Sequence, residues 1–145
     1  MNERRDRIFA VASLVFWVGI IFYLSSGQGA MDQTSRFIRP LLEFLFPSAS
    51  SDTITLYHAF IRKFAHFTEY AILAFLAFRA SRNSRWKYIA AFALVIAVAS
   101  LDEFNQSFEA TRTGSINDVM LDIAGGVSMI AVIWGILKIR RSVIA

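Results

Sequence analysis

The chain has 145 residues, 56% of them hydrophobic and 14 of them Phe, a heavier apolar load than a soluble domain of this size carries. It contains no cysteine, which excludes disulfides, thiolate metal sites and cysteine nucleophiles. The net charge of +4 comes from basic residues at the ends of apolar stretches, a pattern that excludes nucleic acid as the expected partner.

In chain order, Arg4, Arg5 and Arg7 precede an apolar stretch from Ile8 to Leu24. That stretch exceeds the apolar core of a signal peptide, so it predicts a retained membrane span over about 8–26. Next, "SRFIRPLLEFLF" places Phe37, Ile38, Leu41, Leu42, Phe44 and Leu45 at helical spacing, with Arg36, Arg39 and Glu43 among them. This predicts a short helix lying in the membrane interface. Pro47 and the "SASSD" stretch end it, and Ser51 or Asp52 is placed to cap the next helix.

The second span is predicted over about 60–79. Its opening, "FIRKFAHFTEYAIL", sets Arg62, His66 and Glu69 on one helical face at i, i+4 and i+7. Lys63 and Tyr70 flank that stripe, and His58 extends it. Phe60, Phe64, Phe67, Ala71, Phe75 and Phe78 form the opposite face, expected to meet lipid.

A basic loop with Arg79, Arg82, Arg85 and Lys87 leads into a third span over about 87–106. It ends in "LDEFNQSF", where Asp102 and Gln106 are i, i+4 and Glu103 and Gln106 are i, i+3. Arg112 lies in the following loop. The fourth span, about 117–138, opens after Ser115 and carries Asp118 and Asp122 at i, i+4, with Gly125 and Gly126 one turn further on. Lys138, Arg140 and Arg141 follow. The fold class expected is therefore an all-α bundle of four transmembrane helices with one interfacial helix. The basic clusters place both termini and the second loop in the cytoplasm, in a multi-pass cell-membrane protein.

At a 1.5 Å rise per residue, Glu69 lies ~15 Å and His66 ~20 Å from the cytoplasmic edge, and Asp102 ~22 Å and Asp122 ~24 Å. Three spans thus bring ionisable groups to one level, toward the outer side. Ionisable side chains inside a bilayer are costly and mark functional sites by default. The candidate ligand-binding set is Arg62, Lys63, His66, Glu69, Tyr70, Asp102, Glu103, Gln106, Arg112, Ser115, Asp118 and Asp122. His66, Glu69, Asp102 and Asp122 are also the candidates for acid–base chemistry. Plainer roles compete. Ser115 with Asp118 fits a capping box. Lys63 can extend to head groups, Glu103 and Glu109 can be solvated at the rim, and Arg62 with a carboxylate can join two helices. No ligand-spacing motif such as HExxH occurs, so the sequence assigns no metal and no cofactor.

At these residues the sequence resembles the VanZ-like family of small bacterial membrane proteins. The matching pieces are "RKFAHFTEY", "DEFNQSF" and "RTGSINDVMLDIAGG", after a first span ending in "FYLSS". Gln28, in "SSGQG", is given no role by the resemblance. The resemblance implies a multi-span fold in the bacterial cell membrane, and its namesake is associated with resistance to the glycopeptide teicoplanin.

Three functions compete. A binding protein would hold a lipid head group, a lipid-linked cell-wall precursor or a glycopeptide, with Arg62 and Arg112 on its phosphate or carboxylate. The alternative is a membrane-embedded enzyme acting on a lipid-linked phosphate or ester, with His66 as general acid or base. A proton-coupled transporter is disfavoured, because no polar residues continue inward through the second and third spans. No GxSxG or Walker motif supports the enzyme, so binding is the leading expectation.

Overall fold

The computed structural model describes residues 3–26, 31–108 and 115–144, with backbone alone at 31–33, and no strand occurs among them. The helices are α1 (Glu3–Ser25), α2 (Met31–Leu45), α3 (Ser51–Ala80), α4 (Lys87–Gln106) and α5 (Ile116–Ile144).

Helices α1, α4 and α5 are long and apolar enough to cross a membrane. A helix that is apolar all round belongs either in a core or in lipid. For α1 a core is excluded, because Ile8, Phe9, Val15 and Phe16 are exposed and only Ala10, Ile21 and Ser25 are buried. On α5, Val132, Trp134, Ile136 and Ile139 are likewise exposed. The chain is thus an all-α protein of membrane type.

Helix α3 does not reach the same apolarity, and its position accounts for that. It packs against all four other helices, most extensively against α5. A central helix can carry polar residues on the sides its neighbours cover. Its first turn is capped by Ser50, whose Oγ accepts the Thr53 N–H at 3.2 Å. The cap is therefore one residue before the expected Ser51 and two before Asp52; Asp52 lies in the first turn, where its charge favours the helix dipole. The phenylalanine face is narrower than the sequence suggested. Phe60, Phe64 and Phe75 are exposed, but Ala71 is buried and Phe67 and Phe78 are half-buried. Helix α5 lies against this side, with Gly125 on the Phe67 backbone.

The bundle runs in alternating directions. At one end Asp6 of α1 lies 3.8 Å from Arg82, just beyond α3. At the other, Ser25 at the end of α1 bonds Asp102 near the end of α4. Lys63, His66 and Phe67 meet Asp118, Asp122 and Gly125 in that order, so α3 and α5 run parallel. The apolar core is Ile21, Tyr70, Leu73, Ala74, Val95, Val98 and Ala99, with Leu14, Trp17 and Val18 packed on it.

Helix α2 packs on the first half of α3 and reaches Leu24 of α1 across a cavity. Leu42 is buried, whereas Phe37, Leu41, Phe44 and Leu45 are exposed. It is tied to α3 by Arg39, which bonds Glu43 at 2.9 Å within α2 and Ser51 at 2.8 Å at the start of α3.

Candidate functional site

Two glycines set the geometry. A Cβ on Gly125 would overlap the Phe67 carbonyl of α3, and one on Gly126 would come within 2.6 Å of Val95 on α4. Lacking side chains, they let α5 close on both neighbours at once, as small residues do between membrane helices. One turn earlier on α5 is Asp122. The close approach brings its carboxylate to His66 of α3 and Asp102 of α4, and one ligand atom from each of the three lies within 4.8 Å of the others.

Asp102 is 1% exposed. Its Oδ2 accepts hydrogen bonds from Ser25 Oγ at 2.7 Å, Gln106 Nε2 at 3.1 Å and Tyr70 O–H at 3.3 Å. Those donors stand on α1, α4 and α3, so one carboxylate oxygen gathers three helices. Asp122 is 2% exposed. Its Oδ1 is 3.7 Å from His66 Nδ1 and has no hydrogen-bond partner among the described residues.

Outward from this buried layer the helices leave two cavities, both lined by Arg62 and His66. One, of about 200 Å³, lies among α1, α2 and α3 and is also lined by Leu24, Thr34, Ile38, His58, Ile61 and Glu69. The other, of about 110 Å³, lies between α3 and α5 and is lined by Lys63, Asp118 and Leu121 as well. Lys63 and Asp118 sit 4.0 Å apart at its exposed rim. Glu69 is half-buried, and its carbonyl accepts the Trp17 indole N–H at 3.0 Å.

Glu103 is buried, and its carboxylate accepts the backbone N–H of Ser115 where α5 begins. Glu103 is therefore not a solvated rim residue. The Ser115 carbonyl accepts the Asp118 and Val119 N–H groups at 2.9 and 3.3 Å. His58, expected only to extend the α3 stripe, is buried between Thr34 Oγ1 at 3.1 Å and Ser35 Oγ at 3.3 Å on α2. Burial, and then the positive charge of Arg62, hold its pKa below the ordinary histidine value. Arg112 and Glu109 lie outside the described residues.

Of the expected residues, the structure gathers His66, Tyr70, Asp102, Gln106 and Asp122 in the buried layer. Arg62, Lys63, Glu69 and Asp118 line the cavities beside it, and Glu103 and Ser115 join α4 to α5. Ser25 was not among the candidates. Its signal was a serine at the C-terminal end of an apolar helix, at the level where the other polar groups converge.

Comparison with curated proteins and with solved structures finds no match. The family model described as VanZ/LLP1 matches residues 9–138, which include α2, α3 and α4 whole, most of α1 and α5, and every polar residue of the buried layer. With nearly the whole bundle inside that match, the chain belongs to the VanZ/LLP1 family.

Proposed function

We propose that this chain is a four-span protein of the bacterial cell membrane whose extracytoplasmic cavity binds an anionic head group. The occupant is a lipid head group, a lipid-linked cell-wall precursor or a glycopeptide. In this reading α3 is the fourth span, α2 lies in the outer interface and both termini are cytoplasmic. The alternating helix directions support the span count, because α3 starts at the Ser25 end of the bundle and finishes beside Asp6. The basic residues Arg79, Arg82, Arg85 and Lys87, gathered with Arg4, Arg5 and Arg7 at the other end, support the orientation.

The observation that carries the binding reading is that Arg62 and His66 line both cavities. An arginine between two partly apolar cavities offers a forked donor to phosphate or carboxylate. The larger cavity is lined by Leu24, Ile38 and Ile61, so a ligand with an apolar tail fits it better than a fully hydrated anion. The namesake's association with teicoplanin makes envelope glycopeptides and the precursors they capture the first ligands to test, and a role in glycopeptide resistance or envelope homeostasis follows from that binding. A membrane-embedded hydrolase or transferase is the second reading. It is favoured by the imidazole of His66 facing the buried carboxylate of Asp122.

Native mass spectrometry of the purified protein tests binding. An anionic lipid should stay with the wild type and be lost in Arg62→Ala, but persist in the control Arg39→Ala on α2. Equal retention in all three would refute the assignment.

A further inference from the structure

We infer that His66, Asp102 and Asp122 form the binding site of one divalent first-row metal cation, of the Zn²⁺ or Mn²⁺ class. This goes beyond the head-group reading and does not depend on it.

Three independent observations converge. The first is spacing. One nitrogen and two carboxylate oxygens from three different helices lie within 4.8 Å of one another. First-row ions hold such donors at about 2.0–2.2 Å, so donors on opposite sides of one ion stand up to about 4.4 Å apart. Three donors spread around one ion stand about 3–4 Å apart, so the widest pair here needs to close by about 1 Å.

The second is the state of Asp122. Asp122 is only 2% exposed, and a carboxylate oxygen on so buried a residue normally has a hydrogen-bond donor, because desolvation without one is costly. Among the described residues Asp122 Oδ1 has none, and the imidazole nitrogen at 3.7 Å is beyond hydrogen-bond distance. An ion at this point would give that oxygen a partner.

The third is the support behind Asp102. Ser25, Tyr70 and Gln106 all donate to its Oδ2. Metal-ligating carboxylates are characteristically oriented by such hydrogen bonds from behind, and these partners fix which way the carboxylate points. One imidazole with two carboxylates suits borderline ions such as Zn²⁺, Mn²⁺ or Fe²⁺. An all-oxygen set would favour Mg²⁺ or Ca²⁺, and a thiolate set is absent from this chain. Two negative carboxylates against one divalent cation also leave the buried layer neutral. Three protein ligands leave coordination positions for water or for an oxygen of a ligand. His66 lines both cavities and so provides the approach. No spacing motif revealed the site, because its three donors come one from each of three helices.

The test uses the full chain, purified in detergent, stripped with chelator and dialysed against Zn²⁺ or Mn²⁺ alone. We expect one ion per chain for at least one of the two metals. Asp122→Asn and His66→Gln should each weaken it about tenfold or more. Pulsed electron paramagnetic resonance on the Mn²⁺-loaded wild type should show a single directly bound imidazole nitrogen. That measurement needs no variant, so it decides the matter even where a substitution prevents folding. Folded wild-type protein that takes up less than one ion per chain of either metal would overturn the proposal. So would bound Mn²⁺ without imidazole coupling, or a folded Asp122→Asn that binds as tightly as wild type. Because no lipid enters this experiment, its failure leaves the Arg62 assignment standing, and loss of lipid binding leaves the metal site standing.

Discussion

His66 Nδ1 and Asp122 Oδ1 face each other at 3.7 Å across the contact between α3 and α5, one turn from the glycine that lets those helices touch. Their pairing depends on how closely two backbones approach, and the first prediction follows from that dependence.

Gly125→Ala should destabilise the bundle by about 1–3 kcal/mol, because the new methyl meets a backbone carbonyl that cannot rotate away. Gly126→Ala should cost less, since it meets only the Val95 side chain. Gly19→Ala and Gly135→Ala meet nothing within 4 Å and should be neutral or stabilising by up to about 1 kcal/mol through helix propensity. Thermal unfolding of the four variants in one detergent checks the order.

Ser25→Ala should lower stability by about 1 kcal/mol, since it removes the shortest of the three hydrogen bonds to Asp102 Oδ2. Tyr70→Phe, which removes the longest at 3.3 Å, should cost less. Denaturation of both variants beside wild type measures the difference, and the reverse ranking would show that Ser25 is not what holds this carboxylate.

Acid should loosen α2 from α3. Burial and Arg62 depress the His58 pKa in the folded protein, so the unfolded chain binds its proton more readily. This contribution to stability is fully present above about pH 6.5 and is lost as pH falls from there through the folded value. Hydrogen exchange on residues 35–45 should accelerate over that window in wild type and change less in His58→Gln.

Cysteines placed at Asn83 and Ser107 in this cysteine-free chain should label from opposite sides of intact cells, Ser107 from outside. The two positions follow the ends of α3 and α4. Labelling of both from outside would remove α4 as a span.

Much of this architecture was legible beforehand. Uninterrupted apolar runs marked α1, α4 and α5, and the i, i+4, i+7 spacing marked the polar stripe of α3. What remained hidden was tertiary. Periodicity placed Phe67 and Ala71 toward lipid, because a helical wheel records which residues share a face and not which neighbour covers it. Glu103 was a ligand candidate with a solvated rim position as its plainer alternative, and neither reading named its partner, because the Ser115 N–H is supplied from beyond a loop. Ser25 gave too weak a signal alone, since a serine at a helix end is ordinarily solvated. The meeting of His66, Asp102 and Asp122 could be anticipated in depth from the rise per residue, but not in azimuth.

The central claim is that the buried layer serves a ligand and is not there to hold the helices together. Its most direct test is the melting temperature of Asp122→Asn, measured against wild type in ligand-free, chelator-stripped detergent. A carboxylate kept buried for function costs stability, and its near-isosteric neutral replacement relieves that cost. The account predicts an equal or higher melting temperature for Asp122→Asn. A clearly lower one, with the folded fraction keeping its ligands, would contradict it and make the His66–Asp122 contact a fastening between α3 and α5.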